Sequence, residues 1–236
     1  MKVYYDFHIH SGLSPCADDG NTPADIVGMA KLKGLDAIAV TDHNAAGNCA
    51  AAMAHGERAG ILVLPGMELT TAEDVHVLCL FARLSDALCF ERRIREGMLR
   101  IDNRPEVFGN QLFYGYDDEI IGSEGQLLHV ASDIYSHTAA EVVKSFGGVA
   151  IPAHVCREGS GMLSALGGIP LDFGYGCLEE GRCPGHKLEA LRALGYGFVK
   201  NSDAHTLGDI SERENFIELA ELSADAVIAH FLAKQP

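Results

Sequence analysis

The clearest fold signal in the chain is a short apolar run that passes directly into polar residues, Ala37-Ile38-Ala39-Val40-Thr41-Asp42-His43-Asn44. The apolar half is typical of a strand buried on both faces. Asp42 and His43 then lie where the strand emerges into a loop, which is the edge that carries the catalytic groups of an α/β barrel. The stretch therefore predicts a buried strand with functional side chains at its carboxyl end. An alternative role for Asp42 and Asn44 is to cap the following helix.

Similar apolar runs recur along the chain and alternate with helical patterns. Predicted strands cover residues 3–8, 37–41, 62–67, 77–81, 149–153, 177–179 and 198–201, and predicted helices cover residues 24–33, 49–59, 85–100, 139–146, 187–193 and 224–233. The first helix has suitable boundary residues, because Thr22 and Pro23 fit its N-cap and first position and Gly34 fits its end. Strands that alternate with helices predict an α/β fold around a parallel sheet.

Length and composition indicate a globular protein. The 236 residues are 47% hydrophobic and 22% charged, which excludes a disordered, collagen-like or coiled-coil chain. The middle of the chain, at about residues 101–136, breaks the alternation with Gly, Asn and Asp. We therefore expect a single domain spanning residues 1–236, with an irregular insertion or cap in that region. The oligomeric state stays open.

Net charge and cysteine usage bear on partners and location. The formal charge of −15 disfavours nonspecific attraction to nucleic acid or anionic lipid. No apolar stretch approaches the roughly 18 to 20 residues needed to cross a bilayer, and the first residues lack the apolar segment of a signal peptide, so we expect a cytoplasmic protein with no membrane partner. The seven cysteines form no C-x-x-C pair and are odd in number, which favours reduced thiols over a disulfide framework.

The segment Asp6-Phe7-His8-Ile9-His10 places two imidazoles on the first predicted strand. Residues two apart on a strand point to the same face, so we expect Asp6, His8 and His10 to share one face while Phe7 and Ile9 take the other. This spacing also occurs by chance, and a pair of structural or exposed histidines is the alternative.

Further residues able to bind a metal follow one predicted strand after another. His43, Glu68 and His154 each come at the end of an apolar run. Asp203 and His205 follow the last predicted strand, at residues 198–201, and only one predicted helix comes after them. His76 instead precedes an apolar run, and a strand beginning there would place it at the wrong end of a parallel barrel, so a turn histidine is its alternative.

Carboxylates and imidazoles without thiolates suit Zn, Mn or Fe. More than four such ligands cannot all bind one tetrahedral ion, so the set predicts two or three divalent ions, with a carboxylate such as Glu68 shared between neighbours. Paired ions of this kind are used to cleave phosphate esters. The histidines without a strand-end position, which we expect to be surface or structural residues, are His55, His129, His137, His186 and His230.

In combination, these motifs resemble the PHP family, named for polymerase and histidinol phosphatase. The motifs are D-x-H-x-H at residues 6–10, T-D-H at 41–43, G-x-E at 66–68, a histidine opening an apolar strand at 76, P-A-H at 152–154 and S-D-A-H at 202–205. The resemblance covers nearly the whole chain. It implies an α/β fold of the PHP type, a distorted seven-stranded (β/α)7 TIM-like barrel, with a trinuclear metal centre at the carboxyl ends of its strands.

The resemblance also implies a ligand set for each ion. The first ion would be held by His8, His10, Glu68 and Asp203, the second by Glu68, His76 and His154, and the third by His43 and His205. The third ion commonly takes a further residue from the loop after the first motif. The distance to Pro23 favours Asp18, whereas the Asp-Gly step of this lengthened loop would select Asp19.

The implied function is hydrolysis of a phosphate ester of a small metabolite or nucleotide by a metal-activated hydroxide, with Glu68, Asp203 and His205 as catalytic residues. Arg157 is the candidate for an additional contact to the substrate phosphate, with a solvated arginine as the alternative. Asp6 and Asp42 are expected to orient imidazoles that bind the ions.

Two other functions stay open from the sequence. One is a non-catalytic metal-binding or regulatory domain, and the other is a metal-dependent amidohydrolase with the same kind of barrel and ligands. The sequence shows no basic groove with interspersed aromatic residues, which favours a small phosphorylated substrate over a stable nucleic-acid partner.

Overall fold

The predicted apolar runs form strands, and the intervening patterns form helices, in the computed structural model, which describes residues 1–235. The strands are β1 (Lys2–Ile9), β2 (Ala37–Val40), β3 (Leu62–Thr70), β4 (His76–Phe81), β5 (Leu112–Tyr114), β6 (Ile120–Ser123), β7 (Gly148–Pro152), β8 (Cys177–Glu179), β9 (Gly197–Val199) and β10 (Phe216–Glu218). The helices are α1 (Pro23–Leu32), α2 (Cys49–Ala59), α3 (Leu84–Gly97), α4 (Pro105–Phe108), α5 (Ser136–Ser145), α6 (Met162–Leu166), α7 (Gly185–Ala193) and α8 (Ala224–Leu232).

The main sheet is mixed and curls into a half-barrel with the strand order β10-β1-β2-β3-β4-β7. Strands β1, β2 and β3 run parallel, whereas β4 runs antiparallel to both β3 and β7. A parallel pair, β8 and β9, continues the wall, and a bridge from Ala204 to Ile9 brings the chain after β9 back to β1. The fold is therefore a mixed α/β fold of the expected general type rather than a regular run of seven β-α units.

The turn between β3 and β4 explains this departure. Parallel neighbours need a crossover of a dozen or more residues, usually a helix. Residues 71–75 are too few for such a crossover, so β4 folds back as a hairpin and pairs Thr70 with His76. His76, at the start of an antiparallel strand, thus lies at the edge where the parallel strands end. The sequence suggests the opposite edge, because a parallel strand is assumed there.

Both faces of the sheet are buried, because the apolar residues of the strands alternate between two cores. In β2, Ile38 and Val40 pack with residues of the helices α1, α2, α3 and α5 on one face. Ala37 and Ala39 face the other way and join a second core that contains α8. The rings of Phe7 and Phe231 meet edge to face in this second core, with centroids 6.1 Å apart. Burial on two sides leaves the strand ends as the place where polar side chains can gather.

A bulge in β1 changes the expected phase of its side chains. Asp6 pairs with Ile38 and Ile9 pairs with Val40, so β1 contains one more residue than β2 between these pairs. Phe7 consequently packs in the core with α8, while Ile9 packs in the core with the other helices. The prediction that Phe7 and Ile9 share a face is wrong for this reason. The Asp6 carboxylate accepts from the backbone N–H groups of Ser202 and Ser211, whereas His8 and His10 contact Glu68.

The irregular segment at residues 101–136 contains α4 and the hairpin of β5 and β6. It is anchored near the loop after β1, since the backbone N–H of Leu112 donates to the Gly12 carbonyl at 2.7 Å and the Tyr114 hydroxyl donates to the Asp19 carbonyl at 2.5 Å. The segment therefore borders the edge at which the polar strand ends gather, as an insertion or cap would.

One pair of cysteines departs from the expectation of reduced thiols. Cys156 and Cys183 form a disulfide across 27 residues of sequence. Cys156 follows β7 and Cys183 follows β8, and these neighbouring strands bring the two loops together, which the spacing in the sequence does not reveal. Cys16, Cys49, Cys79, Cys89 and Cys177 are free. No helix within residues 1–235 combines the length and the apolar character needed to cross a membrane.

Candidate metal centre

The strand ends of the half-barrel bring the predicted ligands together around one carboxylate, that of Glu68. Backbone hydrogen bonds hold Glu68 to the loop after β2: its N–H donates to the Asp42 carbonyl and its carbonyl accepts from the Asn44 N–H, each at 3.0 Å. Glu68 is almost fully buried, with an exposed fraction of 1%. An acidic side chain so placed needs charged partners, and imidazoles surround it.

The first cluster combines His8, His10, Glu68 and Asp203, each of which offers a ligand atom within 4.8 Å of the others. Nε2 of His8 lies 3.2 Å from Oδ1 of Asp203 and 3.4 Å from Oε1 of Glu68. Nε2 of His10 lies 3.2 Å from the same Asp203 oxygen and 3.4 Å from Oε2 of Glu68. Two nitrogens and two carboxylates converging in this way could hold one divalent cation.

The second cluster shares Glu68 with the first. Nδ1 of His76 and Nε2 of His154 each lie 2.9 Å from Oε1 of Glu68. One carboxylate therefore reaches two groups of nitrogen donors, an arrangement that suits a carboxylate bridging adjacent ions.

The third cluster contains His10, His43 and His205. His43 also lies within ligand distance of His76 and His129, a histidine that the sequence assigns to the surface or to a structural role. The ring of His129 stacks on that of His43 at a centroid distance of 4.3 Å. No strand-end signal marks His129, because it comes from the irregular segment, and only the tertiary fold brings it to the site.

Asp18 is the one predicted ligand outside these clusters. Its backbone N–H donates to the His205 carbonyl at 2.9 Å, but its exposed carboxylate accepts from the Gly20 N–H at 2.7 Å. Asp19 faces the irregular segment and accepts from Asn110 at 2.7 Å. The loop thus brings the backbone of Asp18 to the site while its side chain caps its own turn.

Carboxylates and imidazoles shift each other's pKa values strongly within the buried cluster. Burial opposes charge on His10, but hydrogen bonds to Asp203 and Glu68 raise its pKa to about 9. Burial likewise opposes charge on His8, yet Glu179, Glu68 and Asp203 raise its pKa well above the ordinary value. The same imidazoles, with His76, lower the pKa of Glu68 although burial alone would raise it. Without cations, protons on His8 and His10 therefore balance the carboxylates.

Two of the candidate ligands have unusual backbone conformations. His154 and Asp203 adopt positive φ angles of 28° and 55°, in or near the left-handed region that non-glycine residues rarely occupy. Residues held in such conformations concentrate at functional sites, where the surrounding structure enforces them. The side chains of both residues lie within ligand distance of Glu68.

Glu179 also contacts the candidate metal centre, and the sequence analysis does not single it out. It ends the short strand β8 and is buried, with its carboxylate accepting from Nδ1 of His8 at 3.0 Å and from the backbone N–H of His154 at 2.7 Å. Asn201 donates to the same carboxylate at 2.6 Å. The signal that marks Glu68, an acidic residue ending an apolar strand, also marks Glu179 and could have found it.

The acidic residues expected to orient imidazoles behave differently from each other. Asp42 accepts from the Ser14 hydroxyl at 2.7 Å, and that oxygen in turn lies 3.0 Å from Nδ1 of His10. Because the hydroxyl donates to Asp42, its oxygen accepts from Nδ1–H and leaves Nε2 of His10 directed at the cluster. Asp6 instead accepts from the backbone N–H groups of Ser202 and Ser211 and orients the loop before Asp203.

A pocket of about 740 Å³ opens beside the clusters, and His154, Asp203 and His205 belong to its lining. Arg157 lines it as well, with its guanidinium hydrogen-bonded to the Asp203 carboxylate. Its side chain is 45% exposed, so part of the guanidinium can still reach a ligand. Arg157 therefore lines the same pocket as three of the candidate metal ligands.

The donor set fits divalent cations. The clustered side chains offer imidazole nitrogens and carboxylate oxygens, the ligands preferred by Zn, Mn and Fe. Nδ1 of the buried His43 makes no hydrogen bond within residues 1–235, although Oε2 of Glu68 lies 3.2 Å away. Buried polar atoms usually have a hydrogen-bond partner, so a buried, unpaired imidazole nitrogen beside a carboxylate is consistent with a role in metal binding.

Several solved structures share the fold. The lesion-specific endonuclease EndoQ of Pyrococcus furiosus is 20% identical with a TM-score of 0.67 over 99% of this chain and 56% of that chain. Endonuclease Q bound to a 27-mer duplex substrate with an abasic lesion at the active site is 18% identical with a TM-score of 0.67, over 99% of this chain and 57% of that chain. A protein from Bifidobacterium adolescentis assigned as a metal-dependent phosphoesterase is 20% identical with a TM-score of 0.65, over 98% and 96% of the two chains.

These likenesses correct one expectation from the sequence. The endonuclease Q structures contradict the expectation of a small phosphorylated substrate and no nucleic-acid partner, because this fold also serves an enzyme that acts on DNA. The net charge is a sum over the chain and does not reveal basic residues gathered in one pocket. This chain spans little more than half the length of those endonucleases.

The family assignment rests on the sequence as well as on the fold. No curated protein matches the chain. The sequence profile of the PHP domain matches residues 6–145, which include the motifs of β1, β2, β3 and β4. The chain belongs to the PHP family.

Proposed function

We propose that the protein hydrolyses phosphodiester bonds of nucleic acid at a centre of two or three divalent cations. The observation that carries this proposal is the position of Glu68, whose carboxylate lies within ligand distance of two different groups of donors. Carboxylates shared between neighbouring cations are typical of enzymes that cleave phosphate esters. The likeness in fold to endonuclease Q supports a nucleic-acid substrate.

The proposed ligands are those that converge in the three clusters, with Asp18 added from the loop after β1: His8, His10, Asp18, His43, Glu68, His76, His154, Asp203 and His205. Asp18 would have to turn away from Gly20 to bind. Zn, Mn or Fe bound here would polarise phosphoryl oxygens and lower the pKa of water to near neutrality.

The protein's own side chains hold and orient the substrate. His205 and Asp203 lie at the boundary between the buried clusters and the pocket, where a reacting phosphate would sit. Arg157, from the loop after β7, faces the same place and would bind a nonbridging phosphate oxygen through its guanidinium. Glu68 is buried behind these groups and keeps a negative charge that the cations require.

The test is hydrolysis by the metal-loaded protein of labelled single-stranded DNA, duplex DNA and duplex DNA with an abasic site, run beside an aryl phosphodiester. Glu68→Gln should remove nearly all activity while the protein stays folded, because the amide cannot replace a bridging carboxylate. Glu57→Gln, which changes an exposed glutamate on α2, is the matched control.

Two results would contradict the proposal. Hydrolysis of amide substrates without cleavage of any phosphodiester would favour an amidohydrolase. Full metal loading with no turnover of any of these substrates would favour a non-catalytic metal-binding or regulatory domain.

A further inference from the structure

The pocket beside the metal centre is lined by two basic side chains that have no role in the proposed reaction. Arg182 lies three residues after β8 and Lys200 directly follows β9, and both line the pocket together with His154, Asp203 and His205. The wall of the metal centre and these two side chains thus belong to one continuous cavity of about 740 Å³.

Arg182 and Lys200 are free to bind an anion. Within residues 1–235, neither side chain forms a salt bridge or a hydrogen bond, whereas Arg157 is paired with Asp203. The acidic residues of the pocket are already engaged: Asp203 contacts His8, His10 and Arg157, and Asp209 accepts from the backbone and hydroxyl of Thr206.

The grouping of the basic residues Arg182 and Lys200 in one pocket contrasts with the acidic composition of the chain. The protein carries 33 acidic and 18 basic residues, so its general surface repels polyanions. The disulfide between Cys156 and Cys183 ties the loop that bears Arg157 to the loop that bears Arg182. Arg157, Arg182 and Lys200 therefore bring three positive charges to the lining of the pocket beside the metal centre.

We propose that Arg182 and Lys200 bind a second phosphate of the substrate, one that neighbours the phosphate being cleaved in the same nucleic-acid strand. This inference rests on the proposed function. Guanidinium and ammonium groups are the usual partners of phosphates in a nucleic-acid backbone, and such contacts position the strand without reading its sequence. Substrates with adjacent phosphates are then favoured over those with a single phosphate.

The experiment compares two substrates of the metal-loaded protein: a trinucleotide with two phosphodiester groups, and bis-p-nitrophenyl phosphate with one. In Arg182→Ala/Lys200→Ala, the ratio of kcat/KM for the trinucleotide to that for the aryl diester should fall by about tenfold. The dependence of trinucleotide KM on salt should also weaken, by a slope of about 0.7 for lost contacts to one phosphate of a single strand.

Two further variants serve as controls. Arg182→Lys/Lys200→Arg keeps both charges and should restore most of the ratio. Arg58→Ala/Lys144→Ala removes two exposed basic side chains that do not line the pocket, and it should leave the ratio of kcat/KM values unchanged. An unchanged ratio in Arg182→Ala/Lys200→Ala, or an equal loss with both substrates, overturns the inference.

A measurement of trinucleotide binding tests this inference independently of the proposed hydrolysis. If the wild-type protein hydrolyses neither substrate, the proposed function fails. Fluorescence anisotropy with a labelled trinucleotide still tests the pocket, because the double alanine variant should bind it about tenfold more weakly than the wild type, and equal binding refutes the second phosphate site.

Discussion

The imidazoles of His8, in β1, and of His10, directly after β1, are oriented by different acidic residues. Glu179 accepts from Nδ1 of His8, and Asp42 acts on Nδ1 of His10 through the hydroxyl of Ser14. In both rings the nitrogen that faces Glu68 and Asp203 is Nε2. These contacts keep the donor nitrogens in place before any cation arrives, which reduces the cost of ordering the ligands on binding.

Glu179→Gln is expected to weaken metal binding by about 10- to 100-fold, because the amide leaves the hydrogen bonds of His8, His154 and Asn201 incompletely satisfied. Titration of the metal-free protein with Mn²⁺, followed by the amount of metal retained per chain, measures this change.

Glu180→Gln is the matched control, since Glu180 is the next residue but pairs with Arg192 outside the metal centre. Equal metal affinity in Glu179→Gln and the wild type would show that Glu179 has no role in positioning His8.

At single positions, the sequence predicts the metal-ligating side chains better than it predicts the backbone conformations and tertiary contacts that position them. His154 and Asp203 are visible as polar residues after apolar runs, whereas their positive φ angles depend on turns that the residue types do not specify. His129 approaches His43 only through the fold of the irregular segment, so no local pattern marks it.

Among the secondary-structure elements, the direction of β4 has the largest effect on the site. The sequence predicts a strand at residues 77–81 but not its orientation, which is set by the short turn before it. The reversal places His76 opposite Thr70 and 2.9 Å from Glu68. A longer connection with a helix would have left the second cluster without one of its nitrogens.

Close packing of α2 on β3 gives a prediction about stability. A Cβ atom on Gly56 would lie 2.4 Å from Cγ2 of Val63 and 2.7 Å from the Ile61 carbonyl oxygen. Gly56→Ala should therefore lower the free energy of unfolding by about 1–3 kcal/mol, because α2 must shift away from the sheet. Urea denaturation of the metal-loaded protein measures the change.

Gly28 in α1 provides the opposite case, since a Cβ atom there would meet nothing within 4 Å. Gly28→Ala should raise the free energy of unfolding by about 0.5–1 kcal/mol through the better helix propensity of alanine. If both variants changed stability in the same direction, the close approach of α2 to β3 would not be the cause.

For the molecule as a whole, the candidate ligands come from nearly the entire chain, from His8 to His205, and they meet only when the sheet has curled. The general α/β class follows from alternating patterns, and the metal-binding character follows from residue types at strand ends. The substrate proposed above could not be inferred in this way, because a net charge of −15 conceals the local grouping of Arg157, Arg182 and Lys200. That a single domain spans residues 1–236 stays a prediction.

Folding stability should depend on pH in opposite ways with and without cations. In the metal-free protein, the raised pKa of His10 contributes stability that is fully present below its ordinary pKa of 6.5 and is lost as the pH rises through about 9. Cations compete with protons for the same nitrogens, so the stabilisation that they provide should increase over this range.

Thermal denaturation with EDTA or with Mn²⁺, at constant ionic strength, measures this difference. The Tm in EDTA should fall as the pH rises from about 6.5 to about 9, while the increase in Tm caused by Mn²⁺ should grow. A metal-induced increase that shrinks over this range would argue against His8 and His10 as ligands.

The bond between Cys156 and Cys183 gives the binding edge a covalent tether that the metal ligands do not need. It joins a residue adjacent to Arg157 with one adjacent to Arg182. Reduction of this bond would release the two loops from each other, so the guanidinium groups of Arg157 and Arg182 could move apart. The proposed hold of these two arginines on a polyanion would then vary with the redox state of Cys156 and Cys183.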